Sequence, residues 1–235
     1  MFELFGTSHL ATLAVLGLGI GAAWRTGRHS TVGVRTAVAA LLVGGLILHF
    51  RALGRTPTLW DALPLHLCDL SIFLALAALA RPRDRLVSLL FFWTTTGTLL
   101  ACVTPALRSG FPSPRYLAYF ALHGGVILAA VHLARHLRLT LRPQDAWRAW
   151  LLTNLYGGLV LLVDVTFQKN YLYLLRKPAG TLLDAFGPWP VYVIVVDLLG
   201  LALFVAVAAL HTRLSRAAHP RAAPPLEGAL GNSSL

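Results

Sequence analysis

Seven long apolar stretches constrain this chain more than any other feature of its sequence. Each approaches the roughly 20 residues that a helix needs to cross about 30 Å of hydrocarbon. The predicted spans are 8–24, 32–50, 63–80, 86–102, 116–137, 147–168 and 189–211. Because a backbone in lipid must satisfy its own hydrogen bonds, we predict an all-α fold, a polytopic membrane bundle of seven transmembrane helices.

Charged residues are scarce along the whole chain. They make up 12% of the sequence, against about 25% in soluble domains. This deficit argues against a soluble domain with one anchor and predicts a single seven-helix transmembrane domain over 1–211. Residues 212–235 are rich in Pro and Ala and predict a disordered cytoplasmic tail.

The net charge of +11 points to membrane topology rather than to nucleic acid. Basic residues lie between the apolar runs and are not interleaved with the aromatic residues that single-strand binding would need. Alternate loops differ in their Lys and Arg content, which predicts an N-terminus outside and a C-terminus in the cytoplasm. We therefore expect a multi-pass protein of the cell membrane with membrane lipids as partners, and the oligomeric state stays open.

The chain has only two cysteines, so neither a disulfide framework nor a CxxC-type metal site is available. We predict no metal and no cofactor.

Polar side chains crowd the predicted outer halves of the spans. An isolated charge at such depth costs about 2.5 to 3.5 kcal/mol, so we expect these groups to share a pocket. Asp164 and Asp197 could equally be hydrogen-bonded groups that fix helix register, and His9 and His49, at span ends, are expected at the interface. The remaining candidates are His66, Cys68 and Asp69 at the start of the third span and His123 in the fifth.

Helical geometry separates Cys68 from its neighbour His66. At 100° per residue, His66 and Asp69 share a face, whereas Cys68 points 200° away from His66. A base for the thiol would therefore come from another span, and His123 is the best candidate. We further predict Asp61 as the N-cap of the third span, with Pro64 in its first turn, which places Cys68 near the positive end of the helix dipole.

Several functions are compatible with these residues. A thiolate with a histidine base suits acyl transfer, but cysteine is also a common small buried hydrophobe. His66, Cys68 and His123 could ligate a metal, and Cys68 could form a disulfide with Cys102. A non-catalytic lipid- or solute-binding transporter or receptor-like protein is the alternative from another class.

Five segments resemble a known family in the same order along the chain. They are LPLHLCDL (63–70), LLACVTP (99–105), KNYLYL (169–174), RKP (176–178) and LLDAFGPWP (182–190). Together they resemble the YwaF-type bacterial integral membrane family, which is similar to eukaryotic transmembrane protein 164.

The resemblance implies an activity for specific residues. The eukaryotic relative is regarded as a membrane acyltransferase that uses a cysteine to move fatty acyl chains between phospholipids. By resemblance, Cys68 would be the acyl-accepting nucleophile and His123 its base. Asn170 matches a motif position without an assigned role, and we hypothesise that Asn170 or backbone amides of its loop stabilise the oxyanion. Cys102 departs from the family pattern. The other motif positions, expected to bind substrate or support the site, are His66, Asp69, Tyr171 and Trp189.

Overall fold

The computed structural model describes residues 1–53, 58–178 and 181–218, and these residues form α-, 3-10 and π-helical segments joined by loops. The α-helices are α1 Thr7–Thr26, α2 Val32–Ala52, α3 Leu59–Ala62, α4 Leu67–Ala80, α5 Asp84–Trp93, α6 Leu99–Val103, α7 Pro114–His136, α8 Pro143–Phe167 and α9 Val191–Ala218. A π-helical turn, Thr94–Thr98, joins α5 to α6. Short 3-10 helices are Gly27–His29, Tyr171–Tyr173 and Leu182–Phe186.

Six helical stretches of the described chain are long and apolar enough to cross a membrane: α1 with its 3-10 extension, α2, the continuous α5–π–α6 stretch, α7, α8 and α9. The third predicted span is shorter, because α4 has only 14 residues, about 21 Å of helix at a rise of 1.5 Å per residue. Six of the seven predicted spans are thus long enough in the structure, and the orientation stays a prediction.

Helix α4 begins at Leu67 rather than at residue 63, and Asp61 is not its N-cap. Asp61 belongs to α3 instead, and His66 is the N-cap residue of α4. Pro64 keeps Leu63 out of the helical region, since the residue before a proline avoids it, and the extended backbone of His66 sets the start at Leu67. The amide of Leu65 donates to the carbonyl of Leu63 at 2.9 Å, which closes a tight turn before the helix.

Helix α7 lies at the centre of the bundle and packs against α1, α2, α4 and α5. Its start is fixed locally, because the Ser113 hydroxyl accepts the Tyr116 amide and Pro114 occupies the first turn. The buried core on this helix includes Val126, Ala130 and Leu133. Helices α1, α2, α4 and α5 can therefore each contribute side chains to a site beside an end of α7.

Helices α8 and α9 pack against each other and leave large apolar side chains exposed, such as Leu155, Leu162 and Leu203. An exposed apolar face of this extent suits contact with lipid. Helix α9 continues past the predicted end at 211 to Ala218, and the rest of the predicted tail, 219–235, lies outside the described residues.

Candidate functional site

Cys68 lies in the first turn of α4, immediately after the extended N-cap residue His66 and Leu67. Its side chain is half-buried and its thiol is free, as is the thiol of the buried Cys102. The suggested disulfide between them is therefore not formed in this structure. The first turn is the end of the helix that carries the unpaired amides and the positive end of the dipole.

The backbone of His66 is extended (φ −76°, ψ 149°). The 200° separation of His66 and Cys68, which assumes a regular helix, therefore does not apply. The His66 ring faces the α8–α9 loop, at centroid distances of 5.4 Å from Tyr171 and 6.0 Å from Tyr173. The Leu172 amide donates to its Nδ1 at 3.4 Å. His66 therefore connects α4 to the loop.

Asp69 joins helices α2 and α4 electrostatically. Its carboxylate interacts with the imidazoles of His66 and His49, and His49 lies in the last turn of α2. The two predicted residues Asp69 and His66 thus lie together, with His49 as a third ionisable group. Each of these groups offsets part of the cost of placing the others at this depth.

His123 is held by Tyr119, one turn earlier on α7. The two rings stack with centroids 4.0 Å apart, and His123 Nδ1 lies 2.9 Å from the Tyr119 carbonyl oxygen. Because a carbonyl can only accept, Nδ1 carries the hydrogen in this bond. In the neutral ring the lone pair is then on Nε2, the nitrogen that can act as a base.

Tyr119 also reaches the cysteines. Its hydroxyl donates to the Ala101 carbonyl at 2.9 Å, and the group interacts electrostatically with Cys68, Cys102 and Tyr173. Tyr119 thus contacts His123 on one side and lies near the thiols on the other. Our sequence analysis missed it, although its spacing of four residues from His123 places both on one helix face.

His9, expected at the interface, is fully buried. The Phe5 amide donates to its Nδ1 at 3.1 Å, and its Nε2 donates to the Cys102 carbonyl at 3.0 Å. The residue therefore fastens α1 to the end of α6.

Asn170 organises the α8–α9 loop from within. Its Oδ1 accepts the amides of Leu175 and Arg176, and its Nδ2 donates to the Arg176 carbonyl at 2.7 Å. The side-chain amide is therefore already engaged by the loop backbone. The amide group has a second Nδ2–H, so the predicted role of Asn170 as an oxyanion donor stays a prediction.

Asp164 and Tyr171 join the end of α8 to the same loop. The Tyr171 amide donates to Asp164 Oδ1 at 2.9 Å, and the buried Tyr171 hydroxyl donates to the Trp60 carbonyl. Asp164 is fully buried, interacts electrostatically with His66, and has no hydrogen-bond partner for Oδ2 among the described residues. The loop thus brings Asp164 and Tyr171 to the His66 side of the site.

Asp197 and Trp189 make their contacts elsewhere. Asp197 Oδ1 accepts the Trp150 indole at 2.9 Å and the Asn154 amide at 2.8 Å, both from α8. Trp189 donates its indole N–H to the Leu174 carbonyl at 3.0 Å. Asp197 therefore joins α8 to α9, and Trp189 joins the end of the loop to its middle.

A groove of about 480 Å³ opens beside the end of α8. Volumes of this size are typical of small-molecule sites. As for metals, no three His, Cys, Asp or Glu side chains within 1–53, 58–178 and 181–218 lie together in a way that could hold an ion. The residues lining the groove are Asp164, Val165, Gln168, Lys169, Leu175 and Arg176.

Comparison with known proteins identifies the chain by its family. Neither a curated protein nor a solved structure matches it. A family model does match, over residues 4–208, which include every residue of the site described above. This chain belongs to the TMEM164 family.

Proposed function

We propose that this protein is a cysteine-dependent lipid acyltransferase of the cell membrane that moves fatty acyl chains between phospholipids through a thioester on Cys68. The observation that supports this most directly is the hydrogen bond from His123 Nδ1 to the Tyr119 carbonyl. That bond leaves Nε2 as the basic nitrogen, on a ring whose stacking partner lies near Cys68. A thiol with a base of this kind can form an acyl-enzyme.

In the first half-reaction, His123 Nε2 takes the proton of the Cys68 thiol, and the thiolate sulfur attacks the ester carbonyl carbon of a phospholipid. The carbonyl electron pair moves to oxygen and returns as the carbon–oxygen bond breaks. The departing lysophospholipid oxygen takes the proton back from His123. Cys68 then holds the acyl chain as a thioester.

In the second half-reaction, the hydroxyl of a different lysophospholipid gives its proton to His123 and attacks the thioester carbonyl. The sulfur leaves and recovers a proton from His123, which restores the thiol. The cycle consumes no water and needs no cofactor or metal, because each proton and electron pair returns to its starting group.

The remaining predicted residues would support this chemistry. In the proposal, His66, Asp69 and Tyr171 form the wall between α4 and the α8–α9 loop, and Asn170 and Trp189 hold the loop in shape. Asp164 lies on the lipid-binding side, Asp197 supports the α8–α9 pair, and the transmembrane unit is 1–211 followed by a tail.

The groove beside α8 favours a second candidate, a non-catalytic lipid- or solute-binding protein. Lys169 and Arg176 line this groove together with the buried Asp164, so it offers charges that could bind a polar head group without reacting. In that function Cys68 would be a packing residue.

A labelling experiment separates the two candidates. Purified full-length protein is incubated with phospholipid that has a radiolabelled acyl chain, and protein-bound label is tested for release by neutral hydroxylamine. We expect a hydroxylamine-labile label on the wild type and on Cys102→Ala, and none on Cys68→Ala. Absence of label from the wild type would support the binding protein instead.

A further inference from the structure

Tyr173 differs from the other tyrosines of the chain in its hydrogen bonding. Of the six tyrosines, five donate their hydroxyl to a backbone carbonyl: Tyr116, Tyr119, Tyr156, Tyr171 and Tyr192. The Tyr173 hydroxyl has no acceptor among the described residues. Its side chain is 41% exposed, so the hydroxyl is available to a ligand.

The backbone at this position is strained. Leu172 and Tyr173 have φ values of 54° and 56°, in the left-handed region that residues other than glycine rarely occupy. Hydrogen bonds on both sides hold this conformation: the Leu172 amide donates to His66 Nδ1, and the Tyr192 hydroxyl donates to the Tyr173 carbonyl. Strain of this kind concentrates at functional sites.

The Tyr173 ring lies next to His66, the N-cap residue of α4. Its centroid lies 6.0 Å from that of His66, which is two residues before Cys68. On the other side, Tyr173 interacts electrostatically with Tyr119, the residue that also lies near both thiols. A free phenol therefore lies beside the N-cap residue of α4, the helix whose first turn holds Cys68.

We propose that the Tyr173 hydroxyl is the oxyanion donor of the site, giving a hydrogen bond to the carbonyl oxygen of the acyl chain while Cys68 attacks it. This inference rests on the proposed acyl transfer. Tyr173 keeps its proton throughout: the oxygen gains charge when the sulfur–carbon bond forms and loses it when the lysophospholipid oxygen or the sulfur leaves.

The test compares Tyr173→Phe with Tyr116→Phe in full-length protein. Tyr116 is the matched control because its hydroxyl bonds α1, at Ser8 and Thr12. Thioester formation from acyl-labelled phospholipid is followed under single-turnover conditions over a range of lipid concentrations. We expect Tyr173→Phe to slow the maximal rate by about 10²- to 10³-fold, as for removal of one oxyanion donor, with the half-saturating lipid concentration within about twofold.

A second readout distinguishes an oxyanion donor from a loop support. Alkylation of Cys68 by iodoacetamide displaces iodide directly and puts no negative charge on a carbonyl oxygen, so Tyr173→Phe should leave its rate within about twofold of the wild type. A wild-type acylation rate in Tyr173→Phe would overturn this inference alone. A Tyr173→Phe variant in which the alkylation rate and the lipid affinity fall together with the acylation rate would also overturn it. A wild-type protein that forms no thioester would overturn the proposed function and the donor role with it.

Discussion

His123 and Tyr119 are joined twice: their rings stack 4.0 Å apart, and the Nδ1–H of His123 donates to the carbonyl oxygen of Tyr119 at 2.9 Å. The stack fixes the plane of the imidazole, and the hydrogen bond fixes its tautomer. One residue thus determines both how the ring is oriented and which nitrogen is basic.

Replacing His123 by Gln should lower the rate of thioester formation on Cys68 by about 10²- to 10⁴-fold, because a general base contributes roughly that factor. The measurement is single-turnover acylation of purified protein. His29→Gln is the matched control, since His29 is exposed in the 3-10 helix Gly27–His29 that follows α1. Equal acylation rates in His123→Gln and the wild type would remove His123 from the mechanism.

Replacing Asn170 by Ala should loosen the α8–α9 loop. The change removes three hydrogen bonds to the loop backbone, each worth about 0.5 to 1.5 kcal/mol. We expect faster hydrogen exchange in the peptide that spans 168–178. Asn170→Asp keeps the two acceptor bonds and should fall between Ala and the wild type; exchange equal to the wild type in both variants would contradict the structural role.

Asp197 should tolerate replacement by Asn, but not replacement by a side chain that has no acceptor oxygen. Asp197→Asn retains an oxygen for Trp150 and Asn154 and should change the melting temperature little. Asp197→Leu loses both bonds and should destabilise the protein by about 1 to 4 kcal/mol, from values near 0.6 to 2 kcal/mol per bond between membrane helices. Thermal melting in detergent measures the difference. Equal melting temperatures for the two variants would show that the bonds contribute nothing.

Gly27 should not tolerate a larger side chain. A Cβ there would lie 2.7 Å from the His132 carbonyl oxygen and 2.7 Å from Arg135 Cβ, so the backbone would have to move. We expect Gly27→Ala to cost about 1 to 3 kcal/mol, as for overpacking of a buried site. Gly17→Ala, where a Cβ would meet nothing within 4 Å, is the control in the same melting experiment. A Gly27→Ala variant as stable as this control would disprove the close packing.

Hydropathy predicts most of the helices because it registers the length of apolar chain that lipid requires. The second span, predicted at 32–50, is observed as Val32–Ala52. The hydropathy prediction fails at the start of α4, where Pro64 and the extended His66 delay the helix although the sequence stays apolar. There the local conformation, not polarity, decides where the helix begins.

Polarity and spacing predict only the helical candidates of the site, whereas the loop candidates Asn170, Tyr171 and Trp189 rest on the family resemblance. Cys68 and His123 stand out because polar groups are costly in spans. The role of Asn170 depends on amides five and six residues further along an irregular loop, and that of Tyr173 depends on a left-handed backbone. Neither conformation leaves a periodic pattern in the sequence, so neither residue's surroundings could be foreseen.

The π-helical turn Thr94–Thr98 determines what a change of length does to the span that contains it. Such a turn holds one residue more than an α-helical turn, so deletion of one of its residues should leave a continuous α-helix whose two flanking segments still face their partners. A deletion in the α-helical part that follows the turn instead rotates the later residues by about 100°. Cys102, buried against Tyr116, Phe120 and Ile127, would then turn away from α7. A single-residue deletion should therefore be better tolerated in this turn than in the helix that follows it.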